Sequence, residues 1–256
     1  MSRRAPTPSA SQPSASPPSA SPNRGDAYRG LHVLVDDDPR WGRDPVEQAR
    51  AACRARVPVV QLRAKHAGDA TTLAWAREIR ALTRAAGIRF VVNDRFDLAL
   101  LAEADAVHLG QDDLPPSALP AAARAKLAVG RSTHTPEQLA ATRNEDVDYV
   151  AYGPVFGTRS KDSPFSARGL EAVALAVRAA APRPLVAIGG IEMSDLAALR
   201  ALGVAGVAVI SAIAAAADPE RAAGELIVAF GATGARDGRD AGDARDGGDS
   251  RDGSRA

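Results

Sequence analysis

The chain has 256 residues, of which 45% are hydrophobic and 25% charged, as in a globular protein with one large core or two small ones. The 32 Lys and Arg residues nearly cancel the 31 Asp and Glu residues, so no global field draws the protein to nucleic acid or an anionic membrane. Its single cysteine excludes an internal disulfide, and its longest apolar runs, such as 185–191, are far shorter than the ~20 residues that span a bilayer. We therefore expect a cytoplasmic protein with no nucleic-acid or membrane partner, in which any anion binding is local.

The two ends of the chain differ in composition from the middle. Residues 1–27 are mainly Ser, Pro and Ala, and residues 231–256 repeat Arg-Asp with Gly and Ala. Such segments lack large apolar side chains to bury, so we predict two disordered tails around one domain at 28–230. The first segment has no apolar core of a secretory signal, but its Ser-rich, acid-poor composition leaves an organellar transit peptide as an alternative.

Between the tails, short apolar runs alternate with Ala-rich stretches of helical period, which is typical of a parallel sheet with crossover helices. Eight units of this kind favour a closed (β/α)8 TIM barrel over a doubly wound sheet, which usually has fewer strands and one glycine-rich switch point. The predicted strands are 31–35, 57–62, 89–92, 106–109, 127–130, 149–153, 185–188 and 206–210. Helices are predicted to begin at Asp44-Pro45, at Asp69 with Thr71-Thr72, at Thr135-Pro136-Glu137 and at Ser194-Asp195, and two are predicted to end at Gly87 and Gly203.

The second predicted strand runs into a cluster of polar side chains. Gln61, Arg63 and Lys65 lie on one side of the chain if the strand geometry persists that far. Arginine forks two donors onto phosphate oxygens and lysine adds a compact charge, so the trio suits a phosphorylated substrate with a polar heterocycle. The alternative is a solvated loop with incidental charges.

Acidic residues follow the third and fourth predicted strands. Asn93 and Asp94 end one, and the segment 110–113, Gly-Gln-Asp-Asp, ends the other. Neighbouring strand ends bring Asp94 and Asp113 together, and carboxylate oxygens with room for substrate oxygens are what Mg²⁺ prefers. The alternative is that these aspartates cap the next helices, which is about as good an interpretation for Asp112.

Histidine and hydroxyl residues lie near the next strand end. His108 alternates with inward positions and is interpreted as a hydrogen-bonded core residue. Ser132 and nearby backbone N–H groups could bind an anion, whereas Thr135 is better interpreted as a helix cap. His134 has no carboxylate partner in the sequence, so we assign it no catalytic role.

A second anion site is predicted at the last three strand ends. The sixth strand leads into a long loop whose Thr158, Ser160 and Lys161 combine hydroxyl donors with a cation. The seventh and eighth strands end in Gly189-Gly190 and Ile210-Ser211, in the pair of loops that frequently binds phosphate in this fold. Two phosphate sites indicate two phosphorylated substrates or one elongated substrate.

Seven motifs in this order resemble the thiamine phosphate synthase family, over residues 31 to 213. Each motif alone is weak, but the ordered set is specific. The motifs are Gln61-Leu62-Arg63-x-Lys65, Asn93-Asp94, Gly110-Gln111-Asp112-Asp113, Gly130-x-Ser132-x-His134-Thr135, Gly153-Pro154-Val155-Phe156, Gly189-Gly190-Ile191 and Ile210-Ser211. The resemblance implies an enzyme that joins hydroxymethylpyrimidine diphosphate to thiazole phosphate, or to its carboxylated form, and releases diphosphate.

The resemblance also implies roles for individual residues. Asp94 and Asp113 would bind Mg²⁺, and two phosphorylated small molecules would be the partners, with a homo-oligomer left open. The residues expected to be catalytic are Arg63, Lys65, Ser132 and Lys161. The residues expected to contact substrate are Gln61, Leu62, Arg63, Ala64, Lys65, Asn93, Ser132, Thr158, Arg159, Ser160, Lys161, Gly190, Ile210 and Ser211.

The chain departs from the family pattern in three places. The family often has an acid at Ala64, a proline at Gly157, and Thr-x-Thr at 158–160. The related thiazole tautomerases share the barrel but tend to have histidine where Pro154 stands, so Pro154 together with the metal and diphosphate residues favours the synthase. A noncatalytic barrel that only senses a phosphorylated ligand is the other alternative.

Overall fold

Eight parallel strands form a closed barrel in chain order, in a computed structural model that describes residues 24–157 and 165–231. The first strand pairs with both the second and the eighth, which closes the sheet. This confirms the predicted (β/α)8 fold. The strands are β1 Gly30–Asp36, β2 Val59–Arg63, β3 Arg89–Asn93, β4 Ala106–Leu109, β5 Ala128–Thr133, β6 Tyr149–Tyr152, β7 Leu185–Ile188 and β8 Gly206–Val209.

The helices surround the barrel and begin close to the predicted signals. Asp44 caps α1 through a capping box with Glu47, and the Thr135 hydroxyl caps α5. Gly87 ends α2 in a left-handed conformation, as predicted. The helices are α1 Pro45–Arg54, α2 Asp69–Ala86, α3 Phe96–Leu101, α4 Ala121–Lys126, α5 Pro136–Ala141, α6 Gly169–Ala180, α7 Leu196–Ala201, α8 Ser211–Ala214 and α9 Pro219–Phe230.

Short 3-10 helices modify two predicted boundaries. Ser194-Asp195, predicted to open a helix, lies in the 3-10 helix Met193–Asp195 directly ahead of α7. The 3-10 helix Arg24–Tyr28 begins four residues before the predicted domain start at 28. The reason is packing, because the Tyr28 ring stacks on the buried Tyr149 ring at a centroid distance of 5.0 Å. Further 3-10 helices lie at Pro39–Trp41, Pro116–Ala118 and Thr142–Asn144.

Alternation along the strands separates two cores. The larger core lies between strands and helices, and the smaller one fills the barrel with residues that include Val59, Val91, Tyr149 and Ala208. Tyr28 also belongs to this interior cluster, beneath the strands. Gly231, placed in the predicted C-terminal tail, is the left-handed cap of α9.

The remaining tail residues, 1–23 and 232–256, lie outside the described residues, so the tails stay a prediction. Within the described ranges, no helix is long and apolar enough to cross a bilayer.

Candidate active site

The buried carboxylate of Asp36 orients Arg63 at the carboxyl end of the barrel. Asp36 ends β1 and Arg63 ends β2, and the parallel register places the two residues side by side. The Asp36 carboxylate accepts hydrogen bonds from the Arg63 guanidinium, from the Trp41 indole N–H at 2.8 Å, and from the backbone N–H of Asp38 at 3.0 Å. A charged pair with further hydrogen bonds is well fixed, so Arg63 is presented in one orientation. Asp36 was not among the residues predicted from the sequence, although its position at a strand end was a usable signal.

Side chains along β2 point alternately toward the barrel interior and toward the helices, which divides the predicted residues into two sets. Gln61 is buried on the same side as Arg63, toward the barrel interior. Leu62 is buried in the outer core against the helices, and the same period places Ala64 on that side. The side chains of Leu62 and Ala64 therefore face away from the interior, and only their backbone is available to a substrate.

Asp37 organises the loop that carries Lys65. Its carboxylate accepts from the backbone N–H groups of Lys65, His66 and Ala67 at 2.7 to 2.8 Å. Burial alone would raise the pKa of Asp37, but these three hydrogen bonds hold it below its usual value. The Lys65 ammonium forms an ion pair with Asp94, which joins the cationic side of the site to the acidic side.

Asp94 and Asp113 form the predicted acidic pair. Asp94 follows β3 with a left-handed φ of 65°, a conformation that is uncommon outside glycine and is tolerated best by Asp and Asn. The Asp113 carboxylate accepts from the Gly110 backbone N–H at 2.6 Å and lies within hydrogen-bonding reach of Asp94. Burial, and then the contact with Asp94, raise the pKa of Asp113 above its usual value.

The chemistry of this pair fits Mg²⁺. Two carboxylates in contact repel one another when both are ionised, and a hard cation between them relieves that repulsion. Among the described residues there is no cluster of three or more His, Cys, Asp or Glu side chains that could bind a metal ion. The remaining ligands would thus be substrate oxygens and water, as is usual for Mg²⁺ at a phosphate site.

The cap interpretation of these aspartates is wrong. Asp112 is exposed, and the 3-10 helix after it has Pro115 as its N-cap. The helix after Asp94 has Arg95 as its N-cap. Asp112 thus remains without a role at the site, while Asp94 and Asp113 are brought together.

Ser132 lies on β5 above a buried histidine. The Ser132 hydroxyl is 2.9 Å from Nε2 of His108, and its carbonyl accepts from the Gln111 side chain at 2.5 Å. His108 is buried and hydrogen-bonded, as predicted, but it also contacts a predicted site residue, which sequence analysis missed. His134 contacts the Gly153 carbonyl through Nδ1 at 2.6 Å and stacks on Phe165.

Two residues of the predicted second anion site, Gly190 and Ser211, line a cavity. The cavity of about 720 Å³ is lined by Gly157, Gly190 and Ser211 together with Arg40 and Trp41. Gly190 has a left-handed φ of 65°, and a Cβ there would overlap the backbone of Gly157. The loops after β7 and β8 thus line an open space at the same mouth of the barrel.

The remaining predicted site residues are Asn93, Ile210 and the segment 158–161. Asn93 ends β3, where its backbone is in register with His108, and Ile210 is buried against the barrel interior. Thr158, Arg159, Ser160 and Lys161 lie outside the described residues, so their roles remain predictions.

These features define a (β/α)8 barrel whose candidate active site lies at the carboxyl end of its strands. Arg63 and Lys65 lie on one side of that site, the Asp94–Asp113 pair lies beside them, and a glycine-lined cavity lies under the β7 and β8 loops. Active sites of barrel enzymes are built at this end.

Comparison with known proteins identifies the family. Residues 31–213 match the family described as thiamine monophosphate synthase. A thiamine-phosphate synthase of Anaeromyxobacter dehalogenans is 45% identical over 204 residues, covering 78% of this chain and 87% of the relative. One of Thermus thermophilus is 42% identical over 199 residues, covering 77% and 94%. The chain therefore belongs to the thiamine monophosphate synthase family and is an enzyme.

A solved structure agrees with this assignment. Thiamine phosphate pyrophosphorylase from Pyrococcus furiosus superposes with a TM-score of 0.70 at 31% sequence identity, covering 81% of this chain and 96% of that one. The likeness thus extends over the barrel as a whole.

Proposed function

We propose that this enzyme joins hydroxymethylpyrimidine diphosphate to thiazole phosphate, or its carboxylated form, to give thiamine phosphate and diphosphate. With the carboxylated form, CO2 is also released and a proton takes the place of the carboxylate. The observation that carries the proposal is that a cluster of charged side chains and a glycine-lined cavity lie at one barrel mouth. Arg63 and Lys65 lie beside the acidic pair on one side, and the cavity at Gly190 and Ser211 lies under neighbouring loops. The names of the relatives, thiamine-phosphate synthases, support the same reaction.

The diphosphate side of the site neutralises a leaving group. Arg63, fixed by Asp36, and Lys65, fixed through its backbone by Asp37, would donate to diphosphate oxygens, and Ser132 would add a hydroxyl. Mg²⁺ bound at Asp94 and Asp113 would supply positive charge to the departing diphosphate.

The other residues orient the two substrates. The buried Gln61 amide offers both a donor and an acceptor to the pyrimidine ring, at the interior side of the site. The cavity under the β7 and β8 loops would hold the thiazole phosphate with its nitrogen toward the pyrimidine methylene carbon. As diphosphate leaves, the pyrimidine stabilises the methylene cation, and the thiazole nitrogen captures it. Because this step moves no proton, neither His108 nor His134 is required as a base.

The alternative within this class of barrel is thiazole isomerisation. A tautomerase needs a proton-transferring group but no diphosphate site, whereas this chain has Pro154 and the Arg63, Lys65, Asp94 and Asp113 cluster. Incubation with the thiazole phosphate tautomer alone, followed by NMR, distinguishes the two. We expect no isomerisation without the pyrimidine substrate, and isomerisation at a catalytic rate would replace the proposal by the tautomerase.

A barrel that only senses a phosphorylated ligand is the remaining alternative. It would bind ligand without forming product. Formation of thiamine phosphate from both substrates and Mg²⁺ would exclude the sensing barrel, and binding without product would exclude the coupling enzyme.

A further inference from the structure

Three inward-facing residues of neighbouring strands form one layer beneath Ser132. The register pairs His108 of β4 with Gly130 of β5, and Gly130 with Tyr149 of β6. Because the middle position is glycine, the two rings meet across it, with His108 Nδ1 3.1 Å from the Tyr149 hydroxyl. A Cβ at Gly130 would overlap both His108 Nδ1 and the Tyr149 hydroxyl. Glycine at this position is thus a requirement of the contact.

The burial of Tyr149 determines which group donates in the hydrogen bond between the two rings. Tyr149 is fully buried, and burial raises the pKa of its phenol well above the usual value, so the hydroxyl keeps its proton. Within the described part of the chain, His108 Nδ1 is the hydrogen-bond partner of that hydroxyl. A buried O–H requires an acceptor, so Tyr149 donates and Nδ1 accepts.

The direction of this bond fixes the next one. An imidazole that accepts at Nδ1 carries its proton on Nε2, and Nε2 is 2.9 Å from the Ser132 hydroxyl. The ring therefore donates to the Ser132 oxygen and occupies it as an acceptor. The hydroxyl proton of Ser132 is then directed away from His108, toward the barrel mouth.

We propose that His108 is a positioning residue, held by Tyr149 as the Nε2–H tautomer, that makes Ser132 a hydrogen-bond donor to the diphosphate of the pyrimidine substrate. The inference rests on the proposed function for the identity of that anion. The opposite tautomer would accept the Ser132 proton and present a lone pair to the diphosphate, which repels an anion. Gly130 permits the ring contact that selects the favourable tautomer.

The tautomer is measured without turnover, on wild-type protein labelled with ¹⁵N in its histidine rings. The chain has four histidines, and the His108 signals are identified by their loss in His108→Gln. We expect chemical shifts of a protonated Nε2 and an unprotonated Nδ1, with the Nε2–H population reduced in Tyr149→Phe. A wild-type His108 ring protonated at Nδ1 overturns the proposal, even if the enzyme couples its substrates.

The link to Ser132 is tested by a double-mutant cycle. His108→Leu should lower kcat/KM for the pyrimidine diphosphate about ten- to a hundredfold, as for loss of a hydrogen bond to a charged group. His108→Gln, which keeps an N–H donor, should retain much of the wild-type kcat/KM for the pyrimidine diphosphate. KM for thiazole phosphate should be unchanged in both His108 variants. In a Ser132→Ala background, His108→Leu should have little further effect. An equal loss in both backgrounds overturns the proposal, because His108 would then act on the fold in general.

Failure of the proposed function is recognised separately. The same cycle is run by calorimetry, with inorganic diphosphate and Mg²⁺ as the probe. If wild-type protein makes no product but the diphosphate affinities follow the predicted cycle, the positioning role stands and the coupling reaction does not. If the effects of the His108 and Ser132 substitutions on the binding free energy of diphosphate are additive, the positioning role is overturned, whatever reaction the enzyme catalyses.

Discussion

The carboxylate of Asp36 and the guanidinium of Arg63 form a fixed pair across the β1–β2 edge of the barrel mouth. Asp36 is fully buried, and the Arg63 side chain is 13% exposed. An arginine that is already oriented loses less freedom on binding a diphosphate. Asp36, which was not predicted from the sequence, thus lies directly behind Arg63, which was predicted to bind the diphosphate.

Asp36→Asn should weaken the diphosphate site. The amide can still accept from Trp41, but it no longer pairs with the Arg63 charge, so we expect kcat/KM for the pyrimidine diphosphate to fall about tenfold. Steady-state kinetics measures this. Asp26→Asn, which removes an exposed carboxylate paired with Arg29, is the matched control and should change little. Equal kinetics for Asp36→Asn and wild type would show that Arg63 needs no such orientation.

Asp94→Asn should abolish metal-dependent turnover without unfolding the barrel. Asparagine tolerates the left-handed backbone at this position but is a weaker Mg²⁺ ligand, so we expect a loss on the order of a hundredfold or more. The measurements are turnover against Mg²⁺ concentration and thermal unfolding by circular dichroism. The exposed neighbour of the pair provides the control, since Asp112→Asn should leave turnover unchanged. A similar Mg²⁺ dependence in both variants would place the metal elsewhere.

Gly190→Ala should disturb the second anion site. The left-handed backbone and the overlap of a Cβ with Gly157 force the β7–α7 loop to shift, so we expect KM for thiazole phosphate to rise about tenfold or more. Gly224→Ala is the contrasting glycine change, because it lies within α9 with open space at the Cβ position. It should raise the free energy of unfolding by about 0.5–1 kcal/mol and leave both KM values unchanged. An unaltered thiazole phosphate KM in Gly190→Ala would remove Gly190 from the site.

His32 should make the barrel less stable in acid. Burial lowers the pKa of this fully buried imidazole to about 4 from its usual 6.5, and its hydrogen bond to the Tyr28 carbonyl opposes the shift only in part. Between about pH 4 and pH 6.5, the His32 ring is therefore protonated in the unfolded chain but neutral in the folded chain. The free energy of unfolding falls as the pH drops through this range. The full effect is about 3 kcal/mol.

The contribution of His32 is isolated by comparison with His32→Gln. Urea unfolding of both proteins across this pH range should show a smaller loss of stability in the variant. Parallel curves for the two proteins would mean that His32 titrates in the folded state as it does in the unfolded chain.

The sequence allowed the barrel to be predicted because strands buried on both faces are continuous apolar runs. Strand ends were less certain where polar residues continue the pairing. The fifth strand was expected to end at Gly130, yet it pairs with β6 through Thr133. The extra residues include Ser132, so the strand and not a loop supports this hydroxyl.

Residues proposed to bind a ligand directly are easier to identify from the sequence than residues that hold them in place. A charged residue that follows an apolar run can be recognised from the sequence alone, as is the case for Arg63, Lys65, Asp94 and Asp113. Asp36 and His108 contact partners 27 and 24 residues away, and the sheet register decides those contacts. Without the register, Asp36 was one acid in a run of three, and His108 was one buried histidine.

The proposed reaction requires that two phosphorylated substrates meet at one barrel mouth and that diphosphate leaves. The most direct measurement is diphosphate release by purified protein with Mg²⁺, with each substrate alone and with both together. We predict release only when both substrates are present, with an equal amount of thiamine phosphate formed. Release of diphosphate from the pyrimidine substrate alone at the same rate, or no product with both, would contradict the proposed coupling reaction.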